Sequence, residues 1–169
     1  MKKMIAFFFS LCLISLWSLS LGAQIQSPLD TREVSASKPL PPLMATTEEV
    51  DQFFVEFIRQ YEERDIDGFL SLFSSKAIQN QKDSPGRIRE IYTNFFNQSL
   101  SLRFQMREMK TEIYQNAVEV KAHYEIDQVF NKKGESRTWE GKIRWVLVKE
   151  DGALKVLSLD YQYQKGGGQ

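Results

Sequence analysis

Few side chains in this sequence could do chemistry, and their spacing keeps them apart. His123 is the only histidine. An imidazole titrates near neutrality and can serve as a general base or a pH switch. In the alternation of its segment, however, His123 falls with Glu119, Lys121 and Glu125, which reads as a polar face carrying a surface histidine beside carboxylates. Asp160 alternates with Val156 and Ser158. Among apolar neighbours such a carboxylate has a raised pKa and can abstract a proton, whereas at an open strand end it is simply hydrated. Tyr61, Tyr92, Tyr124 and Trp145 each join a large apolar surface to one polar atom. That suits a ligand cavity, and equally an aromatic core that must also take in 12 phenylalanines. Glu62, Glu63, Asp65 and Asp67 lack the ordered spacing of a calcium loop and read as a solvated helix end. The one cysteine, Cys12, lies in an apolar N-terminal run, so the rest of the chain has no thiol nucleophile, disulfide or cysteine-held metal. One histidine cannot build a zinc site, and neither a metal nor a cofactor is expected.

The totals set the frame for those residues. A chain of 169 residues suits one domain. Lys+Arg and Asp+Glu are both 22, and only Lys2 and Lys3 precede Gln24. Loss of that leader would therefore leave a net charge of about −2, which argues against nucleic acid as a partner. Lys2-Lys3, the apolar run from Met4 to Leu21 and the small pair Gly22-Ala23 have the layout of a secretory signal peptide over residues 1–23. Cleavage is expected after Ala23, with Gly22 as the second choice, giving a periplasmic or secreted protein. The alternative is an uncleaved anchor, since about 18 apolar residues can span a bilayer. The membrane is then a partner only through that segment. Residues 24–45, with Pro28, Pro39, Pro41 and Pro42, read as a spacer, and residues 165–169 as a glycine-rich tail.

The elements that must position the candidates lie in residues 46–164. Thr46 and Glu49 fit a capping box, and Val50, Phe53, Phe54, Phe57, Ile58 and Tyr61 follow at helical spacing. A short second helix is expected to bury Phe69, Leu70, Leu72 and Phe73, and Gln79–Asp83 to form a loop. Ser84-Pro85 starts a third helix with Ile88, Ile91, Tyr92, Phe95 and Phe96 on one stripe. From Leu100 the period changes to two. Leu100, Leu102, Phe104 and Met106 share one side, as do Val118, Val120, Ala122, Tyr124 and Ile126, and then Trp139, Gly141, Ile143, Trp145 and Leu147. Leu154, Val156 and Ser158 alternate in the last strand, with hairpin connections at Asn131–Gly134 and Asp151-Gly152. Helices followed by hairpin-linked strands predict an α+β fold: three N-terminal helices against an antiparallel sheet.

This order, with DIDGFLSLFSS in the short helix and GKIRWVLVKEDGALKVLSLDYQ at the end, resembles the nuclear transport factor 2-like superfamily, including its SnoaL-like and ketosteroid-isomerase-like members. The likeness runs from about Thr46 to Gln164, with Leu154-Lys155-Val156 where the family often has Trp-Lys-Ile. It implies a strongly curved sheet wrapped around the helices as a cone. The side shared by Trp145 would face inward, and the pocket wall would draw on Tyr61, Phe69, Phe73, Tyr92, Phe96, Tyr124, Trp145 and Asp160. Dehydratase members pair a histidine with an aspartate inside the cone; here the one histidine points the other way. The likeness also implies a homodimer through the outer sheet face, where Val146, Val148, Leu157, Leu159, Tyr161 and Tyr163 would form an apolar patch. Cover by the proline-rich segment, or an inversion of alternation at a bulge, would equally account for that patch.

The expected function is an exported, non-catalytic binding or accessory domain. Its partner would be a small apolar ligand, an envelope protein or a second copy of the chain. The alternative is a small cofactor-free isomerase or dehydratase with Asp160 as base and a tyrosine such as Tyr61 or Tyr124 beside it.

Overall fold

In the computed structural model, residues 41–132 and 135–164 are described. The leader 1–23, most of the spacer and the tail 165–169 lie outside them. Among the described residues no helix is long and apolar enough to cross a membrane.

Helix α1 (Thr47–Glu63) begins at the expected capping box. The Thr46 hydroxyl accepts from the Glu49 N–H at 3.2 Å, and the Glu49 carboxylate accepts from the Thr46 N–H at 2.9 Å. The helix stops at Arg64, in left-handed conformation with φ 59. Its buried stripe is Val50, Phe53, Phe54, Phe57 and Tyr61. Helix α2 (Ile66–Ser71) is capped by Asp65, whose carboxylate accepts from the Gly68 N–H at 3.0 Å. Helix α3 (Pro85–Gln98) follows Ser84 and buries Ile88, Tyr92 and Phe96. The packed part starts slightly before Thr46: Ala45 is buried, and the Met44 N–H donates to the Tyr114 carbonyl at 2.9 Å.

Five strands form one sheet in the order β1-β5-β4-β3-β2, with β1 at Phe73–Gln79, β2 at Ser99–Ile113, β3 at Val118–Phe130, β4 at Ser136–Glu150 and β5 at Ala153–Gln164. The last four pair antiparallel, as the alternation required. The first corrects the sequence reading. Phe73 does not close the second helix but opens an edge strand that runs parallel to β5. Its buried members are Ser74, Ala77 and Gln79, so it carries no apolar alternation by which to be seen. Asp151 (φ 51) and Gly152 (φ 80) make the tight β4–β5 turn.

Trp145 is at the centre of the core and fully buried. Phe54 and Phe57 meet it edge-on at centroid distances of 4.9 and 5.9 Å, and Phe69 packs on Phe57 at 5.0 Å. Two local devices bend the sheet around these rings. In β5, Val156 pairs with Leu147 and Ser158 with Val146, so Leu157 is an extra residue without a partner. In β4, Gly141 lets the β5 backbone come close: a Cβ there would lie 1.8 Å from the Gln162 carbonyl oxygen and 3.1 Å from the Tyr124 ring.

Because the obstructing atom is backbone, Gly141→Ala should destabilise the domain by roughly 2–4 kcal/mol, read from urea unfolding. A loss below about 0.5 kcal/mol, the range of an unremarkable surface change, would show that β4 and β5 do not approach this closely.

Candidate functional site

The bulge at Leu157 decides what the last strand offers. Before it, Leu154 and Val156 face the helices; beyond it, Leu159 is buried and Tyr161 and Tyr163 turn inward. Leu159 and Tyr161, expected on the outer face, therefore belong to the inner wall. Only Val146, Val148 and Leu157 of that expected patch stay outside, each half-buried. Asp160 moves the opposite way. It sits on the outer face, where its carboxylate accepts from Arg144 at 3.3 Å and from the Ser158 hydroxyl at 3.3 Å, and Arg144 also holds Glu119. His123 lies on the same face with its Nδ1 3.0 Å from Glu108, as its alternation indicated.

On the inner side, the helices and the sheet enclose a cavity of about 410 Å³. Helices α1 and α3 contribute Tyr61, Ile91, Tyr92 and Phe95; the strands contribute Tyr124, Ile126, Trp139 and Leu159. Tyr161 and Tyr163, 37% and 47% exposed, form the rim. Of the expected pocket residues, Tyr61, Tyr92 and Tyr124 line this space. Phe73, Phe96 and Trp145 do not: Phe73 and Phe96 pack on Phe69 at 5.2 and 5.6 Å, and Trp145 is enclosed by Phe54 and Phe57.

Besides Gln98, the lining holds two polar residues that the sequence reading did not single out. Gln128 is 1% exposed, and its amide donates to the Ser99 hydroxyl at 2.8 Å while its carbonyl accepts from the Trp139 indole N–H at 2.9 Å. Directly opposite Gln128 in the β3–β4 pairing is Arg137, at the cavity mouth. Its guanidinium carbon lies 4.8 Å above the Trp139 ring and 6.0 Å from the Phe130 ring. One signal for Arg137 was available in the sequence. It shares the alternation of Trp139, Gly141 and Ile143, so a cation stood on the apolar side of its strand.

Burial pushes the Tyr61 and Tyr92 phenols well above the ordinary tyrosine range, and mutual repulsion with neighbouring tyrosines adds to it. The Tyr124 phenol is pushed up to about 12, again by burial first and by Tyr161 and Tyr163 second. All three are therefore neutral hydrogen-bond donors at physiological pH. Among the described residues the lining holds no carboxylate and no imidazole, and Arg137 is its one charged group.

No protein-family model matches the chain, and no curated protein matches it in sequence. Solved structures do match in shape. A nuclear transport factor 2-like superfamily protein from Salmonella enterica superposes with a TM-score of 0.62 at 15% identity, covering 72% of this chain and 92% of its own. A candidate scytalone dehydratase from Novosphingobium aromaticivorans gives 0.64 at 8% identity, over 70% of this chain and 83% of its own. A candidate dehydratase of the same superfamily from Streptomyces avermitilis gives 0.63 at 11%, over 69% and 95%. This chain has the nuclear transport factor 2-like fold. At such identities the likeness is one of fold, and the cone's contents have to be read from this chain's own residues.

The raised phenols predict alkaline instability. A group whose folded pKa exceeds its unfolded value, here 10.0 for tyrosine, gives stability that is complete below about pH 10 and is lost as pH climbs toward 12. Unfolding free energy should be flat from about pH 8 to 10 and then fall, with the slope reduced in Tyr124→Phe. Ultraviolet titration showing all six tyrosines ionising together near pH 10 in the folded protein would contradict the burial described.

Proposed function

We propose that this domain binds an apolar, ring-bearing small molecule in the cone and does not transform it. One observation carries the reading. The cavity is walled by aromatic and aliphatic side chains with neutral phenols, while Asp160 is paired with Arg144, and His123 hydrogen-bonds Glu108, on the opposite face of the sheet. Its volume of about 410 Å³ falls within the usual range of about 300–1,000 Å³ for small-molecule sites. Two of the structural neighbours are candidate dehydratases. Proton abstraction inside a cone requires a base within hydrogen-bond reach of the substrate, and the phenols here hold their protons too tightly to serve at neutral pH. The leader read in residues 1–23 would carry this binding activity out of the cytoplasm.

The test uses N-phenyl-α-naphthylamine, a neutral apolar fluorophore, against the full-length chain and an Ile91→Trp variant. Ile91 is a half-buried residue of the wall, so a larger ring there fills the cavity and leaves the packed core alone. The wild type should show one saturable site, and the variant should bind at least about tenfold more weakly, a loss of 1.4 kcal/mol, with its thermal midpoint retained. Equal binding by both proteins, or no saturable binding by the wild type, would remove the proposal.

A further inference from the structure

We propose that the molecule held in the cone is an organic acid, its carboxylate gripped at the mouth by Arg137; the inference rests on the binding function proposed above. Three observations lead to it. First, Arg137 is the one charged side chain in the lining among the described residues. Second, it has no acidic partner among the described residues. Arg59, Arg87, Arg89, Arg107 and Arg144 each have one; Arg64 and Arg103 also lack one, but Arg64 donates to the Ser99 carbonyl at 2.6 Å and neither lines the cavity. A cation without an acidic partner at the edge of an apolar cavity is placed to receive an anion from outside.

Third, the guanidinium is supported from beneath. Ser99 holds the Gln128 amide, Gln128 holds the Trp139 indole, and the Trp139 ring carries the guanidinium at 4.8 Å. An arginine stacked on an aromatic ring keeps its N–H groups pointing outward in its own plane, the geometry that meets a carboxylate with two parallel hydrogen bonds. A carboxylate seated there leaves the rest of its molecule directed between Tyr92 and Phe95 on one side and Tyr124 and Tyr161 on the other. The single positive charge suits a monoanion better than a phosphate dianion, which would draw on a second cation. The protonated Tyr124 hydroxyl can donate to a carbonyl or hydroxyl further in. The ligand class is therefore an aromatic or alicyclic carboxylic acid, acid end outward.

The experiment is a two-by-two comparison by calorimetry at low salt. β-Naphthoic acid and its neutral amide, β-naphthamide, are titrated into the full-length wild type and into Arg137→Gln. The wild type should favour the acid by about tenfold, the preference should vanish in the variant, and amide binding should persist in the variant, weakened far less than acid binding. Added salt should weaken the acid only. Equal affinity of acid and amide for the wild type, or an acid preference that survives in Arg137→Gln, overturns the carboxylate assignment and leaves the cavity standing. Binding of neither compound to the wild type overturns the cavity and the assignment together. Because the amide titration reports whether the variant still has a formed cavity, a folding defect would not imitate the expected result.

Discussion

A strand that carries one residue more than its neighbour must, beyond the extra residue, turn its other side toward the core. In β5 that residue is Leu157, between the Val146–Ser158 and Leu147–Val156 pairs. Its effect reaches every later position of the strand. Leu159, Tyr161 and Tyr163 come inside, and Asp160 goes out to Arg144. With unbroken alternation, a carboxylate would enter an apolar cone and three large apolar groups would face water, an arrangement that pays twice in desolvation and exposure. The bulge is thus what makes the cone's interior free of carboxylate and the outer face a lattice of ion pairs.

The inner face of the sheet is filled over one half and open over the other, and ring packing explains the difference. Around Trp145, the rings of Phe54, Phe57 and Phe69 come from two helices and pack edge to face. Further along the same strands, the sheet's own rings face one another: Tyr124 with Tyr161 at 6.5 Å and Trp139 with Tyr163 at 5.4 Å. Those pairs bind the strands together but put no helical ring over the mouth. Gly141, on the neighbouring strand, lets the β5 backbone at Gln162 and the Tyr124 ring come close.

The chemistry of the space follows from what burial does to each polar group. A phenol loses little by leaving water as a neutral donor, so Tyr61, Tyr92 and Tyr124 can line the cavity with their protons firmly held. Gln128 is tolerated at 1% exposure because both ends of its amide are occupied. Arg137 sits at the mouth on the Trp139 ring, exposed to water.

The helices were legible because their apolar residues repeat on one stripe and their starts are marked, by the capping box of Thr46 with Glu49 and by Pro85 at the first helical position after Ser84. The middle strands were equally plain, since Val118 to Ile126 and Trp139 to Leu147 alternate without interruption, and three tyrosines of the cavity could be named from those patterns. Strand β1 escaped notice, as it buries Ser74 and Gln79, whose polarity imitates a loop. Periodicity within a segment determines which residues share a side, because side-chain direction is a local property of a regular backbone. Only the tertiary structure decided which side of β5 beyond Leu157 is the inner one, and that Arg137 stands over Trp139 opposite Gln128, because register and bulges are set by the neighbouring strand.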